Sequence, residues 1–401
     1  ITIERRLFWL NRITAKVSHN KRWVSVLNDV KDKQDTPAMI QSFALQVDKV
    51  DALGRNFPDV TVNAQRDSNA WSIRLASKNI AGNITIPHNR PSPVLMDLDH
   101  LILSPQKEDK DLKRQSGNPH NVRSFRLQSK QFSYEAQKFG SLAVIATNVP
   151  KGLRIDNILI DNGVTQVVGK GTWYSKNEQQ NSAFDFKLES NDMGESLESF
   201  GYAGTIRDGK IRMTVQLEWE GAPSDFSQQT LEGEIYLSIK KGRVLEVDPG
   251  AGRIFGLLSV QALPRRLSLD FSDVFQEGFS FDKIAGSFGI KSGRAYTDSL
   301  VMDGPSARIK VYGAVDIVNR QYDQMVKVMP HITASLPLAI GVATVNPVAG
   351  VIAWLAEKIV REPVSDLAQV TYKVTGSWEN PVVEKLSRAD MLEEELSHPV
   401  Q

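Results

Sequence analysis

Residues 286–328 read GSFGIKSGRAYTDSLVMDGPSARIKVYGAVDIVNRQYDQMVKV. Alternate positions hold Ala307, Ile309, Val311, Gly313, Val315 and Ile317, with Arg308, Lys310, Tyr312 and Asp316 between them. A period of two marks a β-strand with one apolar and one wetted face. Gly293 and Gly304-Pro305 punctuate the stretch, so it reads as successive strands joined by turns. A ladder of one-sided strands raises one question above others: what covers the apolar face.

The same pattern extends upstream. Phe43-Leu45-Val47, Val60-Val62-Ala64, Trp71-Ile73-Leu75 and Ile84-Ile86 alternate, with Asp67-Ser68-Asn69 and Gly82 as turn chemistry. The polar run from Ser104 to Asn121 reads as a mobile loop. Strands resume at Phe125-Leu127, Phe132-Tyr134, Leu142-Val144-Ala146, Leu153-Ile155 and Ile158-Ile160. Pro150-Lys151-Gly152 and Asp161-Asn162-Gly163 are the turns among them. Further strands close on Gly171-Thr172-Trp173 and cover Phe184-Phe186-Leu188. Asp208-Gly209 is a hairpin signal ahead of Ile211-Met213-Val215-Leu217-Trp219, and 231–239 alternates again. The count is roughly 22 strands, which stacked singly would make a ladder on the order of 100 Å long.

Four regions follow from this pass: a basic helical or irregular lead-in at 1–36, a repeated β region at 37–248, a C-terminal module at 249–383 and a charged tail at 384–401. Helical spacing occurs near 250–263 and across 335–361. The second segment holds about 21 uncharged residues from Leu336 to Ala356, long enough to span a bilayer. Asn346-Pro347 interrupts it, which predicts two short helices that dock on a membrane or partner. Leu336, Leu338, Ile340, Val351, Ile352, Trp354 and Leu355 supply their apolar surface. Glu384 to Leu396 reads as a charged terminal helix.

The chain of 401 residues has a net charge of +1, which argues against a nucleic-acid partner. Residues 1–140 nonetheless carry roughly eight more basic than acidic groups, and the remainder roughly seven more acidic ones. No cysteine is present, which excludes disulfides, thiolate metal sites and cysteine nucleophiles. The chain begins at Ile1 without a signal peptide, as expected of a fragment or processed product.

Catalytic motifs are missing. The six histidines, His19, His88, His100, His120, His331 and His398, have no metal-ligand spacing. Gly250-Ala251-Gly252 has Phe255 where a nucleotide loop needs its third glycine. Asp270 and Asp273 sit at a strand end and turn without a partner acid or base. No enzyme activity, cofactor or metal is expected. Periodicity alone leaves two architectures open: a closed sandwich of two sheets, or one long sheet whose apolar side is filled by side chains or ligand.

A resemblance separates them. Residues 250–317, GAGRIFGLLSVQALPRRLSLDFSDVFQEGFSFDKIAGSFGIKSGRAYTDSLVMDGPSARIKVYGAVDI, followed by PHITASLPLA and YKVTGSWENPVV, resemble the C-terminal module of the AsmA-like superfamily, specifically its very large YhdP-type members. AWSIRL and GKGTWY resemble the same family's repeats more loosely. The first 34 residues and 104–121 match nothing in it. The chain would be about the last third of such a protein, without its inner-membrane anchor.

The resemblance implies a mainly β fold: a long curved antiparallel sheet forming an open taco-shaped apolar groove, with a few short helices at the ends. It further implies a periplasmic protein that conducts phospholipids between the inner and outer membranes of a Gram-negative envelope. Its C-terminal end would meet the outer membrane or an outer-membrane protein, and the chain would be a monomer. The expected lining is Ile211, Met213, Val215, Leu217, Leu231, Ile235, Leu237, Ile239, Ala307, Ile309, Val311, Val315 and Ile317. TamB-type relatives suggest an alternative, an assembly factor for outer-membrane proteins that acts through its sheet edges.

Overall fold

Alternation, turns and glycines sort most of the chain into strands. In the computed structural model the structure describes residues 41–52, 55–104, 118–176, 179–199, 206–245, 279–331 and 369–387. The described residues form eighteen strands of a single open sheet. The expected helices at 250–263 and 335–361, the lead-in at 1–36 and the docking residues Leu336 to Leu355 lie outside the described residues.

Two compact units divide these strands. The first contains β1 (Ser42–Ala52), β2 (Arg55–Arg66), β3 (Ala70–Ala76), β4 (Ile80–Pro87), β5 (Val94–Leu103), β6 (Phe125–Tyr134), β7 (Gln137–Val149), β8 (Gly152–Asp161), β9 (Thr165–Lys176) and β10 (Gln179–Ser190). It also takes the second half of β11 (Ile206–Glu220). The second unit contains helix α1 (Met193–Ser199), the first half of β11, and β12 (Glu232–Val244), β13 (Phe279–Lys291), β14 (Arg294–Asp303), β15 (Ala307–Asp316), β16 (Gln321–Pro330), β17 (Val370–Ser377) and β18 (Pro381–Lys385).

Turn chemistry acts as the residues suggest. Asp67 Oδ1 accepts from the Asn69 and Ala70 amides at 2.6 and 2.8 Å. Asn162 Oδ1 accepts from Val164 and Thr165 at 3.0 and 2.7 Å. Such side-chain acceptors satisfy amides that a two-strand turn leaves without ladder partners.

Several expectations are corrected. The sheet is not wholly antiparallel, because β5 and β6 run parallel, from Val94 beside Phe125 to Leu103 beside Tyr134. A parallel pair needs a long return connection, which 104–124 provides. The end of that connection is an ordered 3-10 turn at Pro119–Asn121, within the stretch expected to be a mobile loop. Asn148 Nδ2 donates to the carbonyls of His120 and Val122 at 3.1 and 2.8 Å and fixes the turn. Arg123 donates to the carbonyls of Pro87, Asn89 and Ser92 at 3.1, 3.1 and 2.8 Å, tying the β4–β5 connection to it.

Gly82 is not a turn but lies inside β4 with φ 141°, at a register shift against β5. A Cβ there would stand 2.4 Å from the Asp97 carbonyl oxygen. Asp208 and Gly209 have φ of 59° and 97°, yet β11 continues through them. A left-handed pair can kink a strand as well as end it when both flanks keep ladder partners. Leu153-Ile155 and Ile158-Ile160 are one strand, β8, whose register shifts between Ile155 and Ile158. Merging of this kind brings the expected count of roughly 22 down to eighteen among the described residues. Glu384 and Lys385 belong to β18 rather than to a terminal helix, because they pair with Lys373 and Tyr372 of β17. The α1 helix was not anticipated. Asp192 Oδ1 caps it by accepting from the Glu195 amide at 2.9 Å, and seven residues are too few to show a helical period.

Candidate functional site

The apolar positions of the first unit form continuous rows across neighbouring strands. One row runs Phe43, Ala64, Ile73, Ile84, Met96, Leu127, Val144, Ile158 and Gly169, each paired with the next by register. It crosses nine strands without an ionisable side chain. At roughly 4.8 Å per strand it is about 38 Å long. A second row, beginning Leu45, Val62, Leu75, Gly82 and Leu98, runs beside it and crosses to Ile160 through Ser129 and Leu142. The parallel pair does not break either row, since neighbours in a parallel register also share a face.

Most of these side chains are half-buried rather than sealed. Ile73, Met96, Leu127, Val144 and Ile158 keep part of their surface open, while Ala64 and Ile84 are buried. The opposite face of the unit carries ion pairs Lys130–Asp99 at 2.8 Å, Arg154–Asp156 at 2.6 Å and Lys170–Asp185 at 3.6 Å beside the exposed Leu95, Ile145 and Val168. These pairs are exposed and solvate the sheet more than they stabilise it. The hydrogen bond from Lys130 holds the Asp99 carboxyl below its usual range.

At β9–β11 the apolar face becomes an aromatic stack. Gly169 and Gly171 leave the space that the rings of Phe186 and Phe184 occupy. Those rings are 5.8 Å apart and 6° from parallel, Phe184 stacks on Trp219 at 5.3 Å, and Phe226 meets Trp219 edge-on at 5.3 Å. Both indoles are satisfied: Trp219 Nε1 donates to the Ala222 carbonyl at 3.1 Å and Trp173 Nε1 to Gln180 Oε1 at 2.9 Å. This stack is absent from the expected lining. Its signal was available, as two glycines and two phenylalanines at i, i+2 on strands that pair.

The second unit repeats the pattern with a drier face. Ile239, Ile284, Met302, Ile309, Val328 and Val370 form a row across β12 to β17. Ile239, Ile309, Val315, Val326, Val328 and Tyr372 have no solvent exposure.

The structure therefore places the expected lining residues unequally. Ile239, Ala307, Ile309, Val311 and Val315 are sealed from water, and Ile211 and Leu231 nearly so. Met213, Val215, Leu217, Ile235, Leu237 and Ile317 are half-buried. Val215 and Leu217 alternate with exposed Gln216 and Glu218, and Ile309 with Arg308 and Lys310, whereas Ala314 beside Val315 is itself buried. Ile317 lies just beyond β15, where its amide donates to the Gly293 carbonyl at 2.9 Å. Among the described residues no three His, Asp or Glu side chains gather as metal ligands would. No helix among them is long and apolar enough to cross a membrane.

One-sided strands joined into an open sheet, with an uncharged apolar face about 38 Å long in the first unit, define a β-ladder protein built around an extended apolar surface. The chain belongs to the YhdP family, whose profile matches residues 11–383. It is 28% identical over 358 residues to the intermembrane phospholipid transporter YhdP of Escherichia coli K12, covering 87% of this chain and 28% of that protein. The chain thus spans less than a third of the relative's length. No solved structure matches it.

Proposed function

We propose that this chain is part of a phospholipid conduit, in which the apolar sheet face shields acyl chains and the headgroup stays wet at the sheet's open side. The observation that carries this reading is the uncharged row from Phe43 to Ile158. Each buried methylene is worth about 0.8 kcal/mol, so an acyl chain in water costs on the order of 10 kcal/mol that such a face removes. No bond is made or broken, so the reading assigns no catalytic residue. A passive face sets a path, and net flow then follows a gradient or an external energy source.

The remaining parts of the reading rest on likeness to the transporter. On this reading the protein works in the periplasm, held at the inner membrane, as a monomer. Its C-terminal end faces the outer membrane or an outer-membrane protein.

Burial refines which positions carry lipid. Val215 and Leu217, with Leu127 and Val144, are accessible as they stand, whereas Ile309 and Val315 are already dry. The lipid path therefore follows the first-unit face. The edge-pairing alternative draws little from β18, which is five residues long, opens on Pro381 and carries Glu384 and Lys385, all features that discourage strand addition. Purified chain analysed by mass spectrometry for co-purifying phospholipid tests the proposal. Retained phospholipid supports it, and a lipid-free chain that also fails to take up added phospholipid counts against it.

A further inference from the structure

The wetted face of the second unit holds a feature that an acyl-chain path does not use. Register places Lys240 directly opposite Lys283, and Lys310 directly opposite Lys327. Like charges facing each other across strands repel. Among the described residues none of these four lysines has an ion pair. The acid within the group, Asp303, is opposite both Lys283 and Arg308, and the Arg308 guanidinium holds it. The cluster therefore carries an excess of positive charge that Asp303 offsets only in part.

Two of the lysines, Lys283 and Lys310, line a depression together with Asp303. Its lining also includes Gly286, Ser299, Val301 and Arg308. At Gly286 the Leu300 backbone passes 2.6 Å from where a Cβ would stand, so β13 and β14 close on each other there. Ser287 and Ser299 place hydroxyls 2.9 Å apart beside it. Three tyrosines flank the cluster on the same face: Tyr236, Tyr296 and Tyr312 are 50%, 46% and 39% exposed. Tyr312 is two residues from Lys310 and Tyr236 four from Lys240, spacings that keep each pair on one side of its strand.

We propose that this face of β12–β16 is a docking surface for an anionic phospholipid bilayer, its lysines engaging headgroup phosphates and its tyrosines seated at the headgroup level. The lysines alone would suit any polyanion. The exposed tyrosines favour a membrane, because a ring with an apolar body and a polar tip gains from the interface and little from a soluble polyanion. From β12 to β16 the cluster is about 19 Å wide, enough for several headgroups. This surface is the wetted face of the second unit, and the proposal stands independently of the lipid path proposed for the first.

The test is flotation of the 401-residue chain with vesicles of phosphatidylcholine, alone or mixed with phosphatidylglycerol. Binding should require phosphatidylglycerol, weaken with salt, and fall about fivefold for each of Lys283→Gln, Lys310→Gln and Lys327→Gln. Tyr236→Ser with Tyr312→Ser should weaken it further, and Lys130→Gln with Lys170→Gln in the first unit should leave it unchanged. The lysine variants remove repulsion, so their thermal melts should match or exceed the parent's. Equal binding to both vesicle types, no effect of the lysine variants in folded protein, or equal displacement by inorganic phosphate or a soluble sulfated polysaccharide would overturn the proposal. Lipid capture on the apolar face should be unaffected by the lysine variants, so failure of one reading is distinguishable from failure of the other.

Discussion

Phe184 and Trp219 stack with ring centroids 5.3 Å apart and planes 10° from parallel, above the gap left by Gly171. Both rings are buried, whereas Phe226 at the end of the stack is 50% exposed. Phe184→Ala should cost about 3–5 kcal/mol and Phe226→Ala under about 1 kcal/mol, read from urea unfolding. Equal costs would show that the stack does not hold this end of the first unit together.

Burial separates two substitutions that look alike in sequence. Ile309→Asp puts a carboxylate where no water reaches and should unfold the second unit. Leu217→Asp, at a half-buried position, should leave a folded chain with reduced lipid capture. Circular dichroism and lipid retention on the two variants check this pair. A folded Ile309→Asp chain would contradict the dry face described for β15.

Burial, with a contribution from nearby Glu379, pushes the Tyr322 phenol up to about 12. An unfolded tyrosine titrates near 10. The folded state thus holds its proton after the unfolded state has lost it, so stability is intact below about pH 10 and declines from there to about pH 12. Tyr322→Phe should abolish that part of the alkaline loss, about 1 kcal/mol at pH 11. Urea midpoints of both chains at pH 9 and pH 11 decide it, and parallel losses would place the cause elsewhere.

One cation ties the connection before β5 to the segment leading into β6. Arg123 serves the carbonyls of Pro87, Asn89 and Ser92. Arg123→Met should cost about 2 kcal/mol, since hydrogen bonds from a charged donor are the stronger kind, and Arg123→Lys should recover only part of it. Hydrogen exchange at β5 and β6 should accelerate in the Met variant. Unchanged protection would mean that the crossover is held by Asn148 and the strands alone.

Much of the fold was legible, because a one-sided strand writes its face into every second residue. The run from Ala307 to Val315 and the turns at Asp67, Asn162 and Gly293 fall where the residues indicate. What could not be read depends on choices made between strands. Asp208-Gly209 has the same chemistry in a kink as in a hairpin, and only the continued pairing of β11 distinguishes them. The parallel return at β5–β6 is encoded by loop length, not by periodicity. Alternation marked Val215 and Ile309 equally, yet one is half-buried and the other sealed, because burial depends on what packs over a face. The tyrosine-flanked lysines were read only as a solvated face, since Lys310 and Lys327 become neighbours through register alone.

On the proposed function, phospholipid travels on the apolar face of the first unit. Photocrosslinking residues placed singly at Val144 and Val215, and at their outward neighbours Ile145 and Gln216, test it most directly in cells labelled for phospholipid. Ile145 is apolar and 39% exposed, so it controls for hydrophobicity without the face. Lipid adducts are expected at Val144 and Val215, with background levels at Ile145 and Gln216. Adducts of equal yield on both faces, or only at the outward positions, would contradict it.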